Sequence, residues 1–290
     1  MSLYAALIDP FVEYGFMRRA LVACLALSLG SAPIGVFLVL RRMSLMGDAM
    51  SHAILPGAAI GFLIAGVSLW AMSLGGLMVG LLVVLLAAAV SRATPQREDA
   101  SLAGFYLISL ALGVLLISTR GSNADLLHVL FGRILSVDDA ALMLVVSVAS
   151  VTLLALAAIY RPLVMECFDP AFLKTSLRGG SLIHILFLVL VVINLVAGFQ
   201  ALGTMMAVGL MMLPPLAARF WTERLEGVLA LSVGFGFASG LLGLLVSYNL
   251  DLPSGPSIIL SAGLFYVASL TLGSNGSLRA RYFPGAHYHD

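Results

Sequence analysis

The sequence predicts an all-α, polytopic membrane protein of about nine transmembrane helices. Three observations predict it: 61% of the residues are apolar, only 10% are charged, and the apolar residues fall in long runs. A soluble domain carries roughly a quarter charged residues, so this chain lacks the polar skin that water demands. In hydrocarbon the backbone must satisfy its own hydrogen bonds, which makes each run a helix. Roughly 17–25 apolar residues cross a bilayer. The net charge of +1 argues against a nucleic-acid partner and leaves the lipid bilayer as the surroundings.

The runs are 17–40, 44–67, 69–90, 102–118, 140–159, 181–196, 205–220, 228–248 and 257–272. The first follows acidic residues, Asp9 and Glu13, with no small-residue cleavage site, so it reads as a permanent span and not a removable signal. The second carries ionisable residues and Pro56-Gly57, which should break or bend it. A re-entrant short span would make the count eight or ten. Leu55-Pro56-Gly57-Ala58-Ala59 weakly echoes Leu213-Pro214-Pro215-Leu216-Ala217, as broken helices in transporter repeats do.

Basic residues set the orientation. With the 161–180 loop in the cytoplasm, Arg41, Arg42, Arg92, Arg97, Arg161, Lys174, Arg178, Arg219, Arg224, Arg279 and Arg281 fall inside, and Arg18, Arg19, Arg120 and Arg133 outside. That bias is the positive-inside rule, with the N-terminus out and the C-terminus in. The outer loop 120–139 holds an amphipathic stretch, 125–135, suited to lie at the surface as a lid. The inner loop 161–180 reads as a short helix: Asp169 caps it, Pro170 opens its first turn and Gly179-Gly180 stops it. Cys24 lies in a span and Cys167 in a loop, so no disulfide is expected, and no metal-type cysteine spacing occurs.

The chemistry concentrates in Arg41-Arg42-Met43-Ser44-Leu45-Met46-Gly47-Asp48-Ala49-Met50-Ser51-His52-Ala53-Ile54-Leu55-Pro56-Gly57. Asp48 and His52 are four apart and share a helix face. An ionisable side chain in a span costs several kcal/mol, on the order of 3, unless paired or solvated. Carboxylate and imidazole are fit ligands for first-row divalent metals, and two copies meeting on a two-fold axis would bring four together. A structural pairing of Asp48 with His52, or with the helix end near Arg41 and Arg42, fits the spacing as well. His128 in the outer loop is placed to meet an entering cation, though lone surface histidines are usually just solvated. His184 reads as an interface anchor. The tail His287-Tyr288-His289-Asp290 carries further imidazoles. The methionines at 43, 46, 50, 205, 206, 211 and 212 read as core filling before soft ligands.

The chain has no G-x-x-x-x-G-K-[ST] loop and no H-E-x-x-H, so neither nucleotide hydrolysis by that loop nor zinc proteolysis is expected of it. An ATP-independent secondary transporter or channel is the alternative class.

The Arg41–Gly57 segment closely resembles the signature of the zinc/manganese/iron permeases of bacterial ABC importers. The resemblance continues, in the family's order, through Arg97-Glu98-Asp99, the run 125–135, Glu166-Cys167-Phe168-Asp169, the run 212–219 and Leu252-Pro253-Ser254-Gly255-Pro256. It implies one transmembrane permease domain over 1–290, of vitamin B12-type (type II) architecture, in the bacterial inner membrane. It implies a homodimer, cytoplasmic ATPase subunits that hydrolyse ATP in the permease's place, and an extracytoplasmic metal-binding protein. It places the membrane metal site at Asp48 and His52, and the ATPase-coupling helix at Asp169, Pro170, Phe172 and Lys174. Arg120 and Arg133 flank the lid and are expected to meet acidic residues of the binding protein. The cargo is expected to be Zn²⁺, with Mn²⁺ or Fe²⁺ as alternatives, and no cofactor is bound permanently.

Overall fold

The computed structural model describes residues 8–66, 68–119, 138–168 and 180–282. The described residues form helices throughout: α1 (Asp9–Glu13), α2 (Gly15–Leu40), α3 (Met46–Ala53), α4 (Leu55–Ala65), α5 (Leu69–Ala93), α6 (Glu98–Thr119), α7 (Asp139–Phe168), α8 (Gly180–Leu202), α9 (Thr204–Ala218), α10 (Leu225–Leu250), α11 (Ser254–Leu272) and α12 (Leu278–Tyr282). Among them are eight spans long and apolar enough to cross a bilayer, with α3 and α4 together making one. The ninth expected run is the shorter α9. At about 1.5 Å per residue it reaches about 22 Å, short of the hydrocarbon thickness. It serves nonetheless because protein, not lipid, surrounds it: Met206, Leu210, Met211, Pro214, Pro215 and Ala217 are all buried.

Helices α2 and α8 are the axis of the fold. α2 packs against α7, α8, α9 and α10, while α8 also reaches α3 and α5. Most of their apolar residues are buried, as a core helix in a membrane bundle requires, with Val22, Leu25 and Leu182 left outward. On one side α3, α4, α5 and α6 pack among themselves, and on the other α9, α10 and α11 do. The outer helices present Leu74, Met78, Leu112, Leu154, Leu260 and Leu264 outward, which in lipid costs nothing. Small residues set the closest contacts. A side chain at Gly57 would run into the backbone carbonyl of Gly75, and one at Gly75 into that of Gly57. The α4–α5 crossing therefore accepts only glycine at both positions, the small-residue packing of membrane helices.

Two boundaries differ from the sequence reading. The span expected over 140–159 continues as α7 to Phe168, because Leu163 is fully buried and Glu166 has a buried partner. Pro162 does not end the helix. The inner connection is correspondingly shorter than 161–180, and α8 begins at Gly180; the short helix expected from Asp169 lies outside the described residues. Both cysteines are free, as expected.

Candidate functional site

The turn from α2 into α3 begins the site. Met43 N–H donates to the Leu38 carbonyl at 2.9 Å and Arg42 N–H to that of Val39 at 3.1 Å. This is the Schellman pattern, whose left-handed position normally takes glycine; here Arg42 holds it at φ 60°. The chain then enters α3 at Met46, with Asp48 in the first turn and His52 in the last. A carboxylate suits the positive end of a helix.

Asp48 and His52 share one face, as their spacing predicts. His52 Nε2 lies 3.8 Å from Asp48 Oδ1, with the side chains 42% and 66% exposed. That distance exceeds a hydrogen bond but lies within ion-pair range for a protonated ring, and both side chains are partly open to the surroundings. The opposite face of α3 is packed: Met46, Ala49, Met50 and Ala53 are buried. The pairing with Arg41 does not occur, because its guanidinium is engaged elsewhere. Among the described residues no group of three or more His, Cys, Asp or Glu converges as a metal site. One chain thus places two candidate ligands at this position.

Below the pair the helix breaks at Ile54, before Pro56. Proline has no N–H to offer the preceding turn. Ser109 of α6 compensates at the break by donating its hydroxyl to the Ala53 carbonyl at 2.8 Å. Met46, Met50, Met206, Met211 and Met212 are buried in the two main apolar clusters, so they fill the core, and Met205 is exposed.

The structure adds a second polar assembly that the sequence reading missed. At the ends of α2, α6, α7 and α8, Arg41 Nη2 donates to Glu166 Oε2 at 2.7 Å. His184 Nδ1 lies 2.9 Å from Glu166 Oε1, and its Nε2 lies 2.8 Å from Glu98 Oε1. The Arg41 guanidinium also stacks 4.4 Å over the Phe187 ring, a cation–π contact. Arg41 is 7% exposed and Glu166 13%; His184 is 16% and Glu98 24%. Arg41 Nη1 lies 3.0 Å from the same Nδ1; because a guanidinium only donates, that nitrogen accepts from Arg41 or donates to Glu166 according to the ring's tautomer. His184 is therefore no interface anchor; it bridges two carboxylates. The carboxylates lie on opposite sides of the ring, and an arginine occupies the space between groups, which is not a metal geometry. A smaller polar contact joins α7 to α8, where buried Asn194 donates to Thr152 Oγ1 at 2.7 Å.

His128, Arg120, Arg133, Asp169, Pro170, Phe172 and Lys174, together with His287 and His289, lie outside the described residues.

Comparison with known proteins matches this arrangement. The manganese import system permease protein ScaB of Streptococcus parasanguinis is 32% identical over 90% of this chain and 92% of its own. The manganese transport system membrane protein MntC of Halalkalibacterium halodurans is 32% identical over 98% and 97%. A probable iron transport system membrane protein of Haemophilus influenzae is 27% identical over 91% and 96%. Among solved structures, PsaBC from Streptococcus pneumoniae in complex with Fab superposes with a TM-score of 0.83 at 29% identity, over 97% of this chain and 100% of that one. A putative metal-chelate type ABC transporter in an inward-facing conformation shares the fold, with a TM-score of 0.69 at 19% identity, over 92% of this chain and 90% of that one. The model of the ABC 3 transport family matches residues 13–273, leaving almost none of the membrane bundle outside it, so the chain belongs to that family, as a membrane permease and not as the ATPase.

Proposed function

We propose that the chain is the permease of an ATP-driven manganese importer, with Asp48 and His52 as its transport site and iron as the alternative cargo. The single observation behind it is the partly exposed Asp48–His52 pair, with no hydrogen bond between the two, on a broken helix, in a chain whose relatives are named for manganese import and for manganese or iron transport. Zinc, the cargo expected from the sequence, has less behind it, since those names favour manganese. The donor set agrees with that choice. Carboxylate and imidazole serve Mn²⁺ well, and no thiolate is at hand to favour a softer ion.

Two ligands do not complete a coordination shell. A second copy of the chain would bring a second Asp48 and His52, and the exposure of both side chains on one protomer leaves them free for that meeting. On this reading the homodimer axis runs past α3. ATPase subunits dock at the cytoplasmic side on residues 169–176, and the metal-binding protein docks at the outer side near Arg120 and Arg133. His128 receives the cation on entry. Binding must stay modest, because a site that holds its ion too well does not pass it on.

Uptake into vesicles holding the permease, its ATPase and its binding protein tests the reading. Manganese should accumulate on ATP addition, and Asp48→Ala or His52→Ala should abolish this while the complex still assembles. Zinc uptake that excess manganese leaves untouched would reinstate zinc. Accumulation without ATP would make the chain a secondary transporter.

A further inference from the structure

The Arg41–Glu166–His184–Glu98 cluster has no part in the proposed transport site, yet its members lie at the helix ends that flank residues 169–179, the segment expected to meet the ATPase. Glu166 lies near the end of α7, just before residues 169–179, and His184 lies in the first turns of α8, just after them. Arg41 is the C-cap of α2 and leads, through the Arg42 turn, into the helix that carries Asp48. Glu98 opens α6, whose Ser109 holds the break below His52. The cluster thus ties both helix ends beside the expected coupling segment to both elements that position the metal ligands.

Its physical character suits transmission better than support. Buried ion pairs give little net stability over apolar side chains of similar size. They do fix direction: a guanidinium bound to one carboxylate and stacked on Phe187 cannot slide as an apolar contact does. The Arg41 Nε is buried with no hydrogen-bond partner, so one donor of the hub is unused in this arrangement. Arg42, beside it, is held in a left-handed conformation disfavoured for a non-glycine residue.

We propose that Arg41, Glu98, Glu166 and His184 are positioning residues that form a coupling clamp, passing displacement of the α7 and α8 ends to the α2–α3 turn and so to Asp48 and His52. The inference rests on the ATP-driven reading above. In the transport cycle the ends of α7 and α8 shift when the ATPases close. The clamp carries Arg41 with them, and α3 turns its ligands with it.

The test measures ATP hydrolysis and manganese uptake on the same vesicles, using the assembled complex. Glu166→Gln keeps the side chain's shape and removes its charge. It should leave hydrolysis within about twofold of wild type and lower manganese taken up per ATP by at least tenfold. The charge exchange, Arg41→Glu with Glu166→Arg, should recover part of that ratio, and neither single exchange should. If Glu166→Gln fails to assemble, His184→Gln gives the same readout, since it retains one donor for a carboxylate. An unchanged ratio overturns the clamp. So does failure of both variants to assemble, which would make the cluster a structural support. If the wild-type vesicles themselves show no ATP-driven uptake, the transport reading has failed instead, and the clamp fails with it.

Discussion

Asp48 was legible from the sequence because the evidence for it is local. A spacing of four places Asp48 and His52 on one helix face whatever the rest of the chain does, and α3 bears this out. His184 was not legible in the same way. Its partners, Glu98 and Glu166, come from other helices at separations of 86 and 18 residues, and only tertiary packing brings them to the ring. An isolated histidine at the start of an apolar run carries no sign of either. Two predictions belong at this scale. Replacing Asp48 with Asn keeps its size and removes its charge, so manganese affinity measured on the purified complex should fall at least tenfold, about 1.4 kcal/mol. Asn194 and Thr152 are the second test. A double-mutant cycle with Asn194→Leu and Thr152→Val, read by denaturant unfolding, should give a coupling of about 0.6 to 1.7 kcal/mol, between the average and the largest value for polar contacts between membrane helices.

Helix existence was easier to read than helix ends. The apolar run over 140–159 announces α7, but Arg161 and Pro162 suggest a stop that the fold overrides. A proline costs a helix one hydrogen bond, whereas continuing it buries Leu163 and brings Glu166 to Arg41. The break in the second span was legible from Pro56, but the hydroxyl that stabilises it was not, since Ser109 lies 56 residues away from Ala53. Ser109→Ala should therefore lower thermal stability by about 1 kcal/mol through the orphaned carbonyl. An unchanged midpoint would mean that water replaces the hydroxyl. The Arg42 turn predicts the opposite sign. Arg42→Gly relieves a left-handed arginine and should stabilise the protein by about 1 kcal/mol, read as a raised thermal midpoint.

The whole molecule divides its charges between its two ends. Arg41, Arg42, Arg92, Arg97, Arg219, Arg224 and Arg279 sit at or near the end where α2, α5, α7, α9 and α11 finish. The opposite end, among the described residues, has Arg18 and Arg19, with Arg19 bound to Asp139 at 3.1 Å. The helices alternate as the sequence reading required, and the contact of Phe220 with Asn275 confirms that α9 and α11 finish at the same end. The positive-inside rule leads us to expect the arginine-rich end in the cytoplasm. On that expected orientation the Arg41 cluster lies on the side that holds ATP. Single cysteines in a Cys167→Ser background test it, because the remaining Cys24 is fully buried. Glu13 and Glu223 are both exposed and at opposite ends. In intact cells Glu13→Cys should react with a membrane-impermeant maleimide, and Glu223→Cys should react only after permeabilisation. The reverse pattern would turn the molecule over, placing the cluster and the coupling segment beyond the reach of any cytoplasmic ATPase, and an ATP-driven import mechanism could not survive it.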